Sequence, residues 1–205
     1  MIVGIVLAGG RSLRFGADKA LAELGGRSLL DATLGVLSAS CAKLAVSARE
    51  GPIAELAAAR GLEWIADSNG APDGPLAGVL AGLRWAKAAG ANLLATAPCD
   101  TPLLPADMGA RLAKALRDDD GLVFARAPDG VHPLCGLWRV GLIAPLQEML
   151  SAGRHPSVRA AVDQLGGRAV DFPDTAAFLN VNTRTDLASA AQTLISRGDW
   201  PIAET

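Results

Sequence analysis

The sequence has little cysteine, little histidine, few aromatic residues and no surplus of either charge. Cys41, Cys99 and Cys135 are odd in number, far apart and form no CxxC pair. That pattern fits reduced thiols acting as small apolar side chains better than a disulfide framework or a cysteine zinc site. The two histidines, His132 and His155, lie near no GxSxG motif and no cysteine placed as a nucleophile, so covalent catalysis has little support. With 19 basic against 21 acidic residues the formal charge is −2, which offers no polyanion-binding surface, and nucleic acid is not an expected partner. The longest charge-free run, Ala88 to Cys99, falls short of the roughly 20 residues that span a bilayer, and no positive leader precedes the apolar N-terminus. A soluble, cytoplasmic protein without membrane association is expected. Two motifs are also missing. Without GxxxxGK[ST] there is no P-loop of a kinase or GTPase, and without GxGxxG there is no dinucleotide-binding fingerprint.

What is present begins at Ile2. The run Ile2 to Leu7 is β-branched and apolar without alternation, as in a strand buried on both faces, and it breaks straight into Gly9-Gly10. Arg11, Arg14 and Lys19 follow. A buried strand running into glycines and then cations makes an anion cradle, because glycine lets backbone N–H groups approach a phosphate that the cations neutralise. The chain has 205 residues, of which 50% are hydrophobic and 4% aromatic. That is enough for one well-buried α/β domain and short for two.

Strand and helix patterns then alternate. Leu29, Leu30, Thr33, Leu34 and Leu37 repeat at helical spacing, Lys43 to Ser47 reads as a strand, Ile53 to Arg60 as a helix and Leu62 to Ala66 as a strand ending at Asp67. A Gly/Pro-rich stretch leads into a helix over Leu76 to Ala89, and a third strand, Ala91 to Ala97, ends in Pro98-Cys99-Asp100-Thr101-Pro102. These βα-type units predict a single-domain, doubly wound, mostly parallel sheet with helices on both faces. Further on, Pro105 to Leu116 is a predicted helix and Asp118 to Asp120 a solvated turn. Leu122 to Arg126 and Leu134 to Arg139 are predicted strands of a hairpin carrying His132 at its tip or base. Leu142 to Leu150, Ser157 to Leu165 and Thr185 to Ile195 are expected helices, with Ala169 to Phe172 an edge strand. One domain is expected over 1–195, with halves of about 1–103 and 104–195 and a tail over 196–205.

In an open parallel sheet the ligand sits at the carboxyl ends of the strands, where strand order reverses. Gly9-Gly10, Asp67 and Asp100 all fall at such ends. A basic, glycine-rich loop for phosphates with carboxylates for a hydrated Mg²⁺ suits a nucleoside triphosphate. Plainer roles remain open for each residue: a solvated face for the basic loop, a turn or helix start for Asp100, turn chemistry for Asp67, packing or a turn for His132, and backbone satisfaction for Asn180 and Asn182.

Leu7 to Leu24, LAGGRSLRFGADKALAEL, resembles the signature of nucleotidyltransferases that activate a phosphorylated or acidic acceptor and release pyrophosphate. Asp67-Ser68 with Gly74 to Gly78, Pro98 to Pro102, His132-Pro133, and Asn180 to Thr183 with Asp186-Leu187 follow in order. Together they make the chain similar to the molybdenum cofactor guanylyltransferases, the MobA family. The resemblance implies that Leu7, Ala8, Gly9, Gly10 and Arg11 contact the nucleotide, that Arg14 and Lys19 hold the triphosphate, and that Asp67 sits by the ribose or base. Asp100 would bind Mg²⁺. The position of Ser47 can be an asparagine that touches the nucleotide in related proteins; here the side chain is shorter. His132, Asn180 and Asn182 would face the pterin acceptor. GTP and molybdopterin are the implied substrates, with transient contact to molybdenum-cofactor proteins. A cytidylyltransferase or sugar-phosphate enzyme, and a non-catalytic nucleotide-binding delivery protein, are the alternatives.

Overall fold

The computed structural model describes residues 1–9, 19–66, 74–151 and 156–199. Its central strand, β1 (Ile2–Leu7), lies parallel between β4 (Leu44–Ala48) and β6 (Leu93–Pro98). β5 (Glu63–Ala66) adds in parallel outside β4. On the other side β8 (Gly130–Arg139) pairs antiparallel with both β6 and β7 (Leu122–Ala127), and β9 (Arg168–Asp171) closes the edge parallel to β7. The order is β5-β4-β1-β6-β8-β7-β9, with β8 alone running against the rest. A mostly parallel, doubly wound sheet is therefore what forms.

The unpatterned apolar run of β1 has a direct cause. Val3, Ile5 and Leu7 enter one core layer while Val6 and Ala8 enter the other, so both faces need apolar side chains. Leu30, Leu34 and Leu37 of α1 (Leu29–Ser38) lie in the layer of Val6, with α2 (Pro52–Ala59) and α4 (Met108–Ala115). Leu76, Val79, Leu80 and Leu83 of α3 (Pro75–Ala88) lie in the layer of Ile5, with α5 (Ile143–Ser151) and α6 (Val158–Gln164). A smaller cluster of Leu24, Leu29, Leu103, Val181 and Ala190 seats α7 (Arg184–Arg197). Among the described residues no helix is long and apolar enough to cross a membrane.

Three local expectations change. Glu23-Leu24 and Arg27-Ser28, here β2 and β3, form a small hairpin that has no predicted counterpart. Strands this short show no alternation, and the turn depends on Gly25 and Gly26, both at positive φ (58° and 76°), which glycine adopts without steric cost. The helix expected from Pro105 begins at Met108, because Pro105 to Asp107 fold into a turn in which the Met108 N–H donates to the Pro105 carbonyl at 3.0 Å. The Asp118 to Asp120 turn is not wholly solvated: Asp120 is 8% exposed.

Asp120 joins the end of α4 to two strands, β8 and β9. Its carboxylate accepts from Arg168 Nε at 3.0 Å, Arg168 Nη2 at 2.6 Å and the Arg117 N–H at 2.8 Å, while its carbonyl accepts from Arg139 Nε at 2.9 Å. The Arg168 hydrogen bonds hold the Asp120 carboxyl at about 2, below its ordinary 3.8. A lowered folded-state value contributes stability above the unfolded value that is lost as pH falls between about 4 and 2. Asp120→Asn should therefore lower unfolding free energy at pH 7 by about 1–2 kcal/mol, below the full equivalent of the shift because the pair is partly open to water. Urea titrations of both proteins at pH 7 and pH 2.5 check this, and the gap should shrink at the lower pH. An unchanged gap would separate Asp120 from the acid limb.

Candidate active site

Strand order reverses at β1. The chain passes from β1 to β4 and β5 on one side and then returns to β6 on the other, so the crevice of an open α/β sheet opens between the carboxyl ends of β1 and β6. Both sides of β1 are held there. The Ala8 N–H donates to the Ser47 carbonyl at 2.8 Å, and the Cys99 N–H donates to the Leu7 carbonyl at 3.1 Å. Leu7, Ala8 and Gly9 thus leave the sheet beside Cys99-Asp100. Gly10, Arg11 and Arg14 of the predicted cradle, and Asp67, lie outside the described residues. Ser47 is 1% exposed and packs beneath α3 at Gly78, where a Cβ would stand 2.9 Å from Ser47 Oγ and 3.1 Å from Leu7 Cδ2. Glycine at 78 lets α3 lie this close to the ends of β1 and β4.

Asp100 is the centre of the described crevice. Lys19 Nζ donates to Asp100 Oδ2 at 2.7 Å and to Asn182 Oδ1 at 2.9 Å. Turned so that its nitrogen faces Asp100, the orientation that relieves an oxygen otherwise facing only acceptors, the Asn180 amide nitrogen lies 2.8 Å from both carboxylate oxygens and 3.2 Å from the Asp100 carbonyl. That carbonyl also accepts from the Val181 N–H at 2.7 Å. The Lys19 and Asp100 side chains are only 14% and 19% exposed, so the pair is partly withdrawn from solvent, where charge-assisted hydrogen bonds are strong. Asp100 caps no helix, since α4 starts at Met108; the helix-start role is removed.

Asn182 is held by the start of α7. Thr183 caps that helix, its side chain accepting from the Asp186 N–H, and Asp186 accepts in return from the backbone N–H groups of Asn182 (2.9 Å) and Thr183 (2.8 Å). This capping box fixes the turn from which the Asn182 side chain reaches Lys19. The Asn182 backbone N–H, followed by the Thr183 hydroxyl, holds the Asp186 carboxyl below the usual carboxylate range.

Opposite β6, the β7–β8 hairpin has an irregular register: Phe124 faces Gly136, but Ala125 faces His132. The intervening Pro133, Leu134 and Cys135 bulge from the ladder. Thr96 Oγ1 donates to the Leu134 carbonyl at 2.7 Å and accepts from Trp138 Nε1 at 2.9 Å, which ties the bulge to β6. His132 lies beyond it, near the hairpin turn, with Nε2 3.2 Å from Asp129 Oδ1 and its ring stacked on Phe178.

The thiols take no nucleophilic part. Burial, with the Asp100 charge adding to it, pushes Cys99 up to about 12; burial pushes Cys135 to about 12 and Cys41 to about 11. All three are neutral at physiological pH, so the thiolate that attacks or binds metal is absent. Among the described residues no three His, Cys, Asp or Glu side chains converge as a metal cluster. Asp100 Oδ2 and Asn182 Oδ1 nevertheless converge on a single cation, the Lys19 ammonium. Two hard oxygens already facing one cation fit Mg²⁺, which needs one or two carboxylates and takes its other ligands from water and phosphates.

A sequence profile for the MobA-like NTP transferase domain matches residues 4–168. The chain belongs to this family. It is 43% identical over 194 residues to the molybdenum cofactor guanylyltransferase of Cereibacter sphaeroides, covering 94% of this chain and 97% of that protein. In fold it is similar to the Archaeoglobus fulgidus molybdopterin-guanine dinucleotide biosynthesis protein A, with a TM-score of 0.77 at 20% identity over 96% of this chain and all of that one. A Mycobacterium tuberculosis protein solved as a manganese complex superposes with a TM-score of 0.62 at 20% identity, over 94% of this chain and 98% of that one. In this MobA-like chain the crevice described above lies at the strand carboxyl ends.

Of the expected site residues, the structure brings Lys19, Asp100, Asn180 and Asn182 into direct contact and sets Leu7, Ala8 and Gly9 beside them. Sequence reasoning placed the two asparagines toward the acceptor and did not anticipate their hydrogen bonds to Asp100 and Lys19. Phe178 and Asp186 had no assigned role. The spacing Thr183 to Asp186 is itself a capping signal, whereas nothing local marks Phe178.

Proposed function

We propose that this chain transfers GMP from GTP to the terminal phosphate of molybdenum-molybdopterin, giving the guanine dinucleotide cofactor and pyrophosphate. The observation that carries the reading is the Lys19–Asp100–Asn182 contact at the β1–β6 switch point, in a chain 43% identical to a guanylyltransferase. A phosphate oxygen of the acceptor forms a bond to the α-phosphorus in line with the bond that breaks, and pyrophosphate leaves with that electron pair. No protein nucleophile is needed, in keeping with the neutral thiols. The chain's task is positioning and charge neutralisation.

Leu7, Ala8, Gly9 and Gly10 offer backbone groups to the nucleotide, and Asp67 orients the ribose or base. Arg11, Arg14 and Lys19 neutralise the leaving pyrophosphate. Ser47 supports this face through its packing under Gly78. Asp100, with the Asn182 amide oxygen beside it, holds Mg²⁺, and Asn180 keeps the carboxylate turned toward it. Mg²⁺ held there would supply charge neutralisation for the α-phosphate as the bond to pyrophosphate breaks. His132, Asn180 and Asn182 face the acceptor, so the nucleotide-binding half (1–103) and the acceptor-binding half (104–195) meet at Asp100. The reaction is proposed to run in the cytoplasm, with the product passed on through transient contact with molybdenum-cofactor proteins.

Titration with GTP, CTP and ATP in the presence of Mg²⁺ and molybdopterin, with pyrophosphate release as readout, tests the reading. GTP should be preferred by at least about 10-fold, as expected where base hydrogen bonds are read by buried groups. A preference for CTP would make the chain a cytidylyltransferase. GTP binding without pyrophosphate release would make it a delivery protein.

A further inference from the structure

The connection from β9 to α7 delivers Asn180 and Asn182 to Asp100, yet only a single short 3₁₀ turn, Thr175–Phe178, lies within it. Besides backbone bonds at Phe172 and Val181, it is anchored by an aromatic side chain. Phe178 is 2% exposed, and its ring stacks on His132 of the β7–β8 hairpin with centroids 4.6 Å apart and planes 20° from parallel. Phe172 meets Phe178 edge-on at 5.3 Å and 71°. Arg111 Cζ lies 4.2 Å from the centre of the Phe172 ring, and its Nη2 donates to the Asp171 carbonyl at 2.8 Å. Asp129 holds the outer edge of His132. Two residues past Phe178, Asn180 grips the Asp100 carboxylate, and the next N–H, from Val181, donates to the Asp100 carbonyl.

We infer that the His132–Phe178 stack is a positioning contact that fixes Asn180 on Asp100 and Asn182 on Lys19, so that His132 serves the metal and nucleotide site through the face of its ring. This rests on the reading of Asp100 and Asn182 as metal- and nucleotide-binding groups. Offset aromatic stacking is worth enough to shift a local opening equilibrium by roughly two- to ten-fold, on top of what buried Val181, its N–H bond to the Asp100 carbonyl and the capping box of α7 already hold. Both Phe178 and His132 are positioning residues in this sense. His132 can at the same time meet the acceptor through its nitrogens, because stacking occupies one face of the ring and leaves its edge.

Two measurements that need no acceptor test the stack. In the nucleotide-free protein, amide hydrogen exchange of a peptide spanning residues 179–183 should quicken roughly two- to ten-fold in His132→Ala and in Phe178→Leu, and return to the native rate in His132→Phe. Exchange in a β1 peptide, unchanged throughout, shows that each variant is folded. Calorimetric affinity for GTP with Mn²⁺ should follow the same order, weakened in His132→Ala and recovered in His132→Phe. Native exchange in His132→Ala, or a His132→Phe protein as fast-exchanging as His132→Ala, overturns the proposal. Failure of the wild-type protein to bind GTP with Mn²⁺ overturns the functional reading instead, while the exchange result still decides the stack. An acceptor contact through the imidazole nitrogens would raise the molybdopterin KM in His132→Phe and leave exchange native.

Discussion

Asp100→Ala should abolish measurable GMP transfer, lowering turnover by at least about 10²- to 10³-fold, the loss seen when one preorganised charge-stabilising group is removed from an active site. Three contacts depend on this carboxylate at once. Lys19 loses its ion pair, Asn180 loses the acceptor that both its amide hydrogens address, and the oxygen pair completed by Asn182 loses its charged member. The measurement is pyrophosphate release with saturating GTP, Mg²⁺ and molybdopterin. Circular dichroism melting must accompany it, because a partly buried Lys19 ammonium that loses its charged partner costs about 1–3 kcal/mol of stability. A folded Asp100→Ala protein that turns over at the native rate would remove Asp100 from the chemistry and return the delivery-protein reading.

The second large effect belongs to Lys19, and it has two parts of opposite sign. Lys19→Met should lower turnover by about 10²- to 10³-fold, because the charge that neutralises the triphosphate is gone while most of the side-chain volume remains. The same substitution should tighten Mn²⁺ binding to the nucleotide-free protein. In the wild type the Lys19 ammonium bonds Asp100 Oδ2 at 2.7 Å and Asn182 Oδ1 at 2.9 Å, the same two oxygens proposed for the metal. Removing it leaves an uncompensated carboxylate, and an opposite charge within hydrogen-bond distance is what a divalent cation would restore. Electron paramagnetic resonance of free Mn²⁺ reads this directly. Weaker Mn²⁺ binding in Lys19→Met would mean that lysine and metal do not share these oxygens.

How much of this was legible in the sequence depends on how local each feature is. The helical repeat of Leu29, Leu30, Leu34 and Leu37 and the apolar run of Ile2 to Leu7 report burial directly, and α1 and β1 lie where those patterns place them. The break at Pro98-Cys99-Asp100 likewise marks a strand end, since the chain cannot continue a ladder through proline without losing a donor. The β2–β3 hairpin was not legible, because two-residue strands have no periodicity to read. Asp120 looked like one more solvated acid in a run of three; only Arg168, on a distant strand, makes it a buried anchor. For the site, Lys19 and Asp100 were visible as a cation after glycines and an acid at a strand end. The bonds of Asn180 and Asn182 to them were not, because those residues lie about eighty positions from Asp100 along the chain and reach it only through the turn at Phe178 and the cap of α7.

By itself, then, the sequence determined the succession of buried strands and amphipathic helices, the glycine-rich exit from β1 and the acid after β6, because each is set by near neighbours through burial periodicity and backbone stereochemistry. Tertiary structure alone decided the strand order, the reversal of β8, and the meeting of Lys19, Asp100, Asn180 and Asn182 at one end of the sheet. Those are contacts between residues whose separation along the chain carries no information about their separation in space. They exist because apolar faces on both sides of the sheet admit few arrangements, and the one adopted carries the β9–α7 connection back across the end of β6.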